Sequence, residues 1–115
     1  MVERTNRRAT ETVHLTESTF DQAVAASSRL LMVDFWAHWC APCRAVAPVL
    51  EDVAANSGGR GTLAKVNVDE NPGLAERYGI RAIPTVVFFR GGQIVDWVTG
   101  AVSKAVLQKI LDARV

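Results

Sequence analysis

The chain has two cysteines, Cys40 and Cys43, and both lie in the short segment "FWAHWCAPCR". Two thiols separated by two residues can ligate a metal, close a small disulfide ring or act as a reversible redox pair. A disulfide ring this small restricts little of the unfolded chain, so it would add little to stability. The spacing therefore favours a metal site or a redox couple over a structural crosslink.

A metal site or an attached haem would need further residues in suitable positions. Zinc takes about four ligands, and the other soft ligands in the chain are His14 and His38. His14 falls on the predicted first strand and His38 lies two residues before Cys40, which is an unfavourable geometry. Covalent haem needs a histidine directly after the second cysteine, and position 44 is arginine. A redox couple is favoured, with metal binding or two inert cysteines as the alternatives.

Length, composition and charge indicate one globular domain. The chain has 115 residues, 49% of them hydrophobic and 22% charged, with a formal net charge of +1. This balance gives no electrostatic argument for a nucleic-acid or membrane partner. Residues 1–10 resemble a flexible basic arm, without the apolar stretch of a secretory signal, and residues 11–115 form the predicted domain. We expect a cytoplasmic protein, in a compartment where thiols are kept reduced.

The hydrophobic pattern predicts the element order β-α-β-α-β-α-β-β-α. The almost unbroken apolar run "RLLMVDFWA" is typical of a strand buried on both faces. A helix is predicted over "APCRAVAPVLEDVAANS", and "TVVFF", Arg90-Gly91-Gly92 and "QIVDWVT" indicate a hairpin. Thr16 or Ser18 is the candidate N-cap of the first helix, and Ser103 that of the last. The alternation predicts an α/β fold with a central five-stranded mixed sheet flanked by four helices.

The cysteines fall where the buried strand ends and the long helix begins. Cys40 lies near the helix N-cap, where unpaired backbone N–H groups and the helix dipole favour a thiolate. Pro42 suits the first helical turn. Asp34 interrupts the most apolar run of the chain, and burial of a carboxylate there should raise its pKa.

The segments "VDFWAHWCAPC" and "AKVNVDENPGLAERYGIRAIPTVVFFRGGQIVDWVTGAVSK" resemble the thioredoxin family, and the resemblance extends from Val13 onward. It rests on the Trp-Cys-x-Pro-Cys loop, the buried aspartate, Ile-Pro-Thr and the late glycine. The resemblance implies the thioredoxin fold and a general protein-disulfide reductase that works with its own dithiol and no other cofactor. It implies disulfide-containing target proteins and an NADPH-dependent thioredoxin reductase as partners, and we expect a monomer.

The resemblance also implies roles for individual residues. Cys40 corresponds to the attacking thiol and Cys43 to the resolving thiol. Asp34 corresponds to the general base and Lys65 to the lysine that tunes it. Pro84 corresponds to the cis proline that faces the thiols. The residues expected to bind substrate are Trp39, Ala41, Pro42, Ile83, Gly100 and Ala101, with the Ile83 backbone pairing with an extended target segment.

Four positions depart from the family pattern. Ala41 and Ala82 stand where glycine is usual, His38 where an acidic or small residue is expected, and Arg44 where lysine is frequent. Ala41 affects the expected substrate fit and redox potential but not the thiol chemistry, and Ala82 narrows the expected substrate groove. His38 is expected to be exposed without a role, and Arg44 keeps a positive charge near the thiols. Two other functions stay open: a specialised oxidant or isomerase, and a binding or assembly subunit in which the thiols have no role.

Overall fold

The structure is a computed structural model that describes residues 12–114. The predicted arm over residues 1–10 lies outside the described residues, as do residues 11 and 115. The elements follow in the predicted order: β1 Val13–His14, α1 Phe20–Ala26, β2 Leu30–Trp36, α2 Ala41–Ala55, β3 Gly61–Asn67, α3 Pro72–Arg77, β4 Thr85–Arg90, β5 Gln93–Thr99 and α4 Lys104–Arg114.

The five strands form one mixed sheet in the order β1-β3-β2-β4-β5. Strand β3 runs parallel to β1 and β2, whereas β4 runs antiparallel to β2 and β5. Strands β4 and β5 form the predicted hairpin, and its turn residues Gly91 and Gly92 both have positive φ, 60° and 81°. Tight hairpin turns of this kind require a left-handed backbone, which glycine adopts without steric cost. The predicted five-stranded mixed sheet is confirmed.

Two hydrophobic clusters cover the two faces of the sheet, so β2 is buried on both sides as its apolar sequence predicts. On one face, α1 and α3 contribute Phe20, Val24 and Leu74 to a cluster with Val33 and Phe35. On the other face, α2 and α4 pack against β2, β3 and β4 through Val46, Leu50, Val53, Leu107, Leu111, Leu30, Met32, Leu63, Val86 and Phe88. The helices therefore lie on both faces, in agreement with the predicted α/β class.

The N-terminus of α1 differs from the prediction. The helix begins at Phe20, and Thr19 takes the N-cap position rather than Thr16 or Ser18. The backbone N–H of Thr16 donates to the Thr19 hydroxyl over 2.9 Å, and the Thr16 carbonyl accepts from the Thr19 and Phe20 backbone N–H groups. The N-cap therefore lies three residues after Thr16 and one residue after Ser18. At α4 the prediction is confirmed, because Val106 N–H donates to the Ser103 hydroxyl over 3.2 Å.

None of the helices over residues 12–114 is long and apolar enough to cross a membrane.

Candidate active site

The two cysteines lie in the turn between β2 and α2, with Cys40 as the N-cap of α2. Its backbone is extended (φ −90°, ψ 104°). Its carbonyl accepts the Arg44 N–H over 3.2 Å, which is the first hydrogen bond of the helix. The Arg44 guanidinium donates to the His38 carbonyl and ties the helix start back to the preceding loop. The helix terminus thus fixes the position of both sulfurs.

Cys40 and Cys43 form a disulfide, with their Cα atoms 5.2 Å apart. The Cys43 backbone N–H donates to Cys40 Sγ over 3.2 Å. Both side chains are almost completely buried, 3% and 2% exposed, so exposure does not distinguish them. Their positions distinguish them, because Cys40 Sγ faces an N–H group at the positive end of the helix dipole. That position would stabilise a thiolate on Cys40.

The start of β4 and the end of β5 meet beside Cys40. Its Sγ lies 3.7 Å from the Ile83 carbonyl oxygen. The Ile83–Pro84 peptide bond is cis. The Pro84 carbonyl accepts the Gly100 N–H over 2.8 Å, and Gly100 has φ +96°, a conformation that favours glycine. The fold therefore brings the Ile83 carbonyl to Cys40 across 43 positions of the chain, and the hydrogen bond between Pro84 and Gly100 lies next to it in sequence.

Asp34 is completely buried, on the face of β2 that α2 covers. It shares that face with Leu30 and Met32, since alternate side chains of a strand point to the same side. Neither carboxylate oxygen has a hydrogen-bond partner among residues 12–114. Burial raises the pKa of Asp34 to about 6, although the nearby charge of Lys65 acts to lower it. Lys65 is the register partner of Asp34 on β3.

Trp36 lies between His38 and Lys65 at the end of β2. The His38 ring meets the Trp36 ring edge-on with centroids 4.6 Å apart, and Lys65 Nζ lies 4.6 Å from the Trp36 centroid. His38 is exposed, and in the described part of the chain no group of three or more His, Cys, Asp or Glu residues could hold a metal ion. Trp36, His38 and Lys65 therefore pack together at the end of β2.

The chain matches the thioredoxin family model over residues 11–113. It is 52% identical over 98 residues to thioredoxin 1 of a Nostoc species, covering 85% of this chain and 92% of the relative. It is 46% identical over 102 residues to thioredoxin of Allochromatium vinosum, covering 89% and 95%. The chain belongs to the thioredoxin family. A mutant thioredoxin from Halobacterium salinarum has a similar structure, with a TM-score of 0.83 at 31% identity over 91% of each chain.

Members of the thioredoxin family are thiol-disulfide oxidoreductases, and the protein is accordingly a protein-disulfide reductase. The family uses its own dithiol as the redox group, which is the Cys40–Cys43 pair in this chain. Disulfide-containing proteins and a thioredoxin reductase are the general kinds of partner of the family.

Beside the disulfide lies a largely apolar groove of about 460 Å³. It is lined by two of the residues expected to bind substrate, Trp39 and Ile83, and by Val68, Pro72, Ala75, Ile80, Arg81 and Ala82. Trp39 is 68% exposed, and its indole N–H donates to the Asp69 carboxylate over 2.9 Å. This hydrogen bond holds a large apolar side chain at the surface. Four other residues expected to bind substrate lie outside the groove lining: Ala41 and Pro42 at the start of α2, and Gly100 and Ala101 directly after β5.

Sequence reasoning missed the part of the groove that α3 and its flanking loops supply. Pro72, Ala75 and Ile80 have no motif of their own. The available signal was weak: Pro72 and Ala75 lie three positions apart on a short helix, and Val68 follows β3 directly.

Proposed function

We propose that Cys40 is the attacking thiol of this reductase and Cys43 the resolving thiol. The Cys40 thiolate attacks one sulfur of a target disulfide, forming a mixed disulfide and releasing the other target sulfur as a thiolate. Cys43 then attacks Cys40 Sγ, which re-forms the Cys40–Cys43 bond and releases the second target sulfur. Two electrons pass from the dithiol to the target. The observation that carries this proposal is the Cys43 N–H that donates to Cys40 Sγ at the start of α2.

Asp34 acts as the general base for the second step. Cys43 must lose its proton before it attacks, and a carboxylate with a pKa of about 6 can accept a proton near neutral pH. Cys43 is in the first turn of α2, the helix that covers the face of β2 carrying Asp34. Lys65 tunes this base, because its positive charge favours the ionised carboxylate.

Target proteins bind across the groove and the adjoining backbone of Ile83. Trp39 supplies an exposed apolar surface. Backbone pairing with Ile83 gives affinity without regard to target sequence, as a general reductase needs. The surrounding contacts come from Ala41, Pro42, Pro84, Gly100 and Ala101.

The reductase that restores the dithiol is NADPH-dependent, and the protein works as a cytoplasmic monomer with no other cofactor. The formal net charge of +1 supports a function without nucleic-acid or membrane partners.

The experiment is insulin-disulfide reduction followed by turbidity, driven first by dithiothreitol and then by NADPH with a thioredoxin reductase. Wild-type protein should accelerate both reactions. The matched controls are Cys40→Ser and Cys43→Ser, which change one sulfur atom each and should both lose catalytic turnover. Equal turnover by wild type and the Cys40→Ser variant would refute the proposed roles.

A further inference from the structure

Three arginines lie side by side at the end of the sheet that is opposite the disulfide. Arg29 directly precedes β2, Arg60 directly precedes β3, and Arg90 is the last residue of β4. These strands are neighbours in the order β3-β2-β4, and their register brings the three arginines to the same end of the sheet. Adjacent strands are about 4.8 Å apart, so three positively charged side chains start close to one another.

The arginines line one pocket of about 260 Å³. We call it the arginine pocket, and its lining residues are Ser28, Arg29, Gly59, Arg60 and Arg90. In the described part of the chain, none of the residues that line it is acidic or carries a large apolar side chain. A planar guanidinium group can donate two parallel hydrogen bonds to the oxygens of a phosphate group. Three such groups around a small cavity are therefore suited to a compact anion.

The side chains are held in place by neutral backbone groups. Each guanidinium group donates to a backbone carbonyl: Arg29 to that of Gly59, Arg60 to that of Ser57 over 2.8 Å, and Arg90 to that of Arg114 over 3.2 Å. Arg29 packs closely on its loop, since a Cβ atom at Gly59 would lie 2.7 Å from its Nη1. A guanidinium group has five N–H donors, so each one keeps donors for a ligand. Because the side chains are already held, a ligand has less conformational entropy to remove on binding.

The positive charge of the arginine pocket is compensated only in part. Among residues 12–114, Asp112 is the one carboxylate that pairs with any of the three arginines, and it lies 3.5 Å from Arg60. Both side chains of this pair are exposed, and exposed ion pairs contribute little to stability. Like charges on neighbouring strands repel each other. A bound anion would therefore relieve a repulsion that the fold leaves in place.

We propose that the arginine pocket binds the phosphate group of a small soluble molecule. A lipid headgroup is a poorer fit, because the pocket has no large apolar side chain that would enter a bilayer. The site is separate from the proposed function. Strand β2 has seven residues between Arg29 and the loop that holds the thiols, so the pocket lies roughly 20 Å from the disulfide. A ligand there would leave the groove and the disulfide open.

The test measures binding to the oxidised full-length protein by isothermal titration calorimetry and by chemical-shift changes of backbone amides. The probes are inorganic phosphate, pyrophosphate, tetraglutamate, and phosphatidylcholine vesicles that contain phosphatidic acid. The wild type should bind one phosphate or pyrophosphate per chain, and pyrophosphate should bind more tightly because it carries more charge. The shift changes should be largest at residues 28–30, 57–61 and 90.

Arg29→Gln and Arg90→Gln should each weaken pyrophosphate binding about tenfold, as expected for loss of hydrogen bonds to a charged group. Arg29→Lys should also weaken binding, because lysine keeps the charge but lacks the planar pair of donors. Lys109→Gln is the matched control, since it removes one positive charge from an exposed position of α4 outside the pocket lining. It should change the affinity by less than about twofold. All four variants should keep wild-type insulin turnover.

Absence of saturable binding of both phosphate probes at about 10 mM would overturn the inference. Equal weakening by Lys109→Gln and Arg29→Gln would also overturn it, because the attraction would then depend on net charge alone. Tighter binding of tetraglutamate than of pyrophosphate would assign the pocket to acidic protein segments instead, and retention on vesicles without binding of free phosphate would assign it to lipid. The thiol roles are tested separately, by insulin turnover of Cys40→Ser.

Discussion

Replacing Asp34 by asparagine should stabilise the oxidised protein at neutral and alkaline pH. The carboxyl is completely buried, and burial raises its pKa from 3.8 to about 6. Converted at 1.36 kcal/mol per pKa unit, this difference corresponds to about 3 kcal/mol. That is the free energy that the folded protein loses when Asp34 is ionised in both the folded and the unfolded state. Asparagine has almost the same shape and carries no charge.

The sign follows from proton linkage. Below about pH 3.8 the Asp34 carboxyl is protonated in both the folded and the unfolded state, so it does not lower the free energy of unfolding. Between 3.8 and about 6 the unfolded state ionises first, so the stability of the wild type falls as pH rises, and the full cost is present above about 6. The stability of Asp34→Asn relative to wild type should therefore rise by about 2.5 kcal/mol between pH 4 and pH 8, because a small part of the cost is already present at pH 4.

The assay is urea unfolding of both oxidised proteins at several pH values, monitored by tryptophan fluorescence. The difference between the two free energies of unfolding cancels the titration of other groups. A difference that stays constant between roughly pH 4 and pH 8 would mean that the folded protein does not hold Asp34 with a raised pKa. The same variant should also resolve mixed disulfides more slowly, since the proposed base for Cys43 is absent.

Three further predictions concern the thiols, the base and the core. In the reduced protein near neutral pH, iodoacetamide should alkylate Cys40 before Cys43; faster labelling of Cys43 would reverse the assigned roles. Lys65→Met should raise the pKa of Asp34 further, as measured by NMR titration of its carboxyl group. Lys104→Met is the control: it removes a surface partner of Asp52 and should leave the pKa of Asp34 unchanged. Phe20→Ala should lower the free energy of unfolding, measured with urea, by about 3–5 kcal/mol, because Phe20 is completely buried against Tyr78 and Phe89. A decrease as small as that of Val106→Ala, which truncates an exposed side chain, would contradict this prediction.

The sequence predicted those parts of the structure that depend on local pattern. β2 was predictable because helices cover both faces of the strand, so nearly every side chain in it is apolar. The N-cap position of Cys40 followed from the join of that strand to a helix with Pro42 in its first turn. The predicted start of α1 was wrong because Thr16, Ser18 and Thr19 all have side chains that can cap a helix. The turn that selects Thr19 depends on side-chain contacts.

The groove and the contacts that hold it depend on residues far apart in sequence. Trp39 and Asp69 are 30 positions apart, and no local pattern links the indole to that carboxylate. Cys40 and Ile83 are 43 positions apart, and no local pattern places the Ile83 carbonyl 3.7 Å from Cys40 Sγ. Such contacts are set by register and packing, which a single sequence does not display.

Covalent capture of a disulfide-containing target by the two single-cysteine variants shows directly which sulfur attacks the target. Reduced Cys43→Ser and Cys40→Ser proteins are each mixed with insulin, quenched with acid and separated by non-reducing electrophoresis with mass analysis. Cys43→Ser should accumulate a stable mixed disulfide through Cys40, because the sulfur that resolves it is missing, and Cys40→Ser should form little or none. Equal capture by the two variants, or capture by Cys40→Ser alone, would mean that Cys40 is not the dedicated attacking thiol.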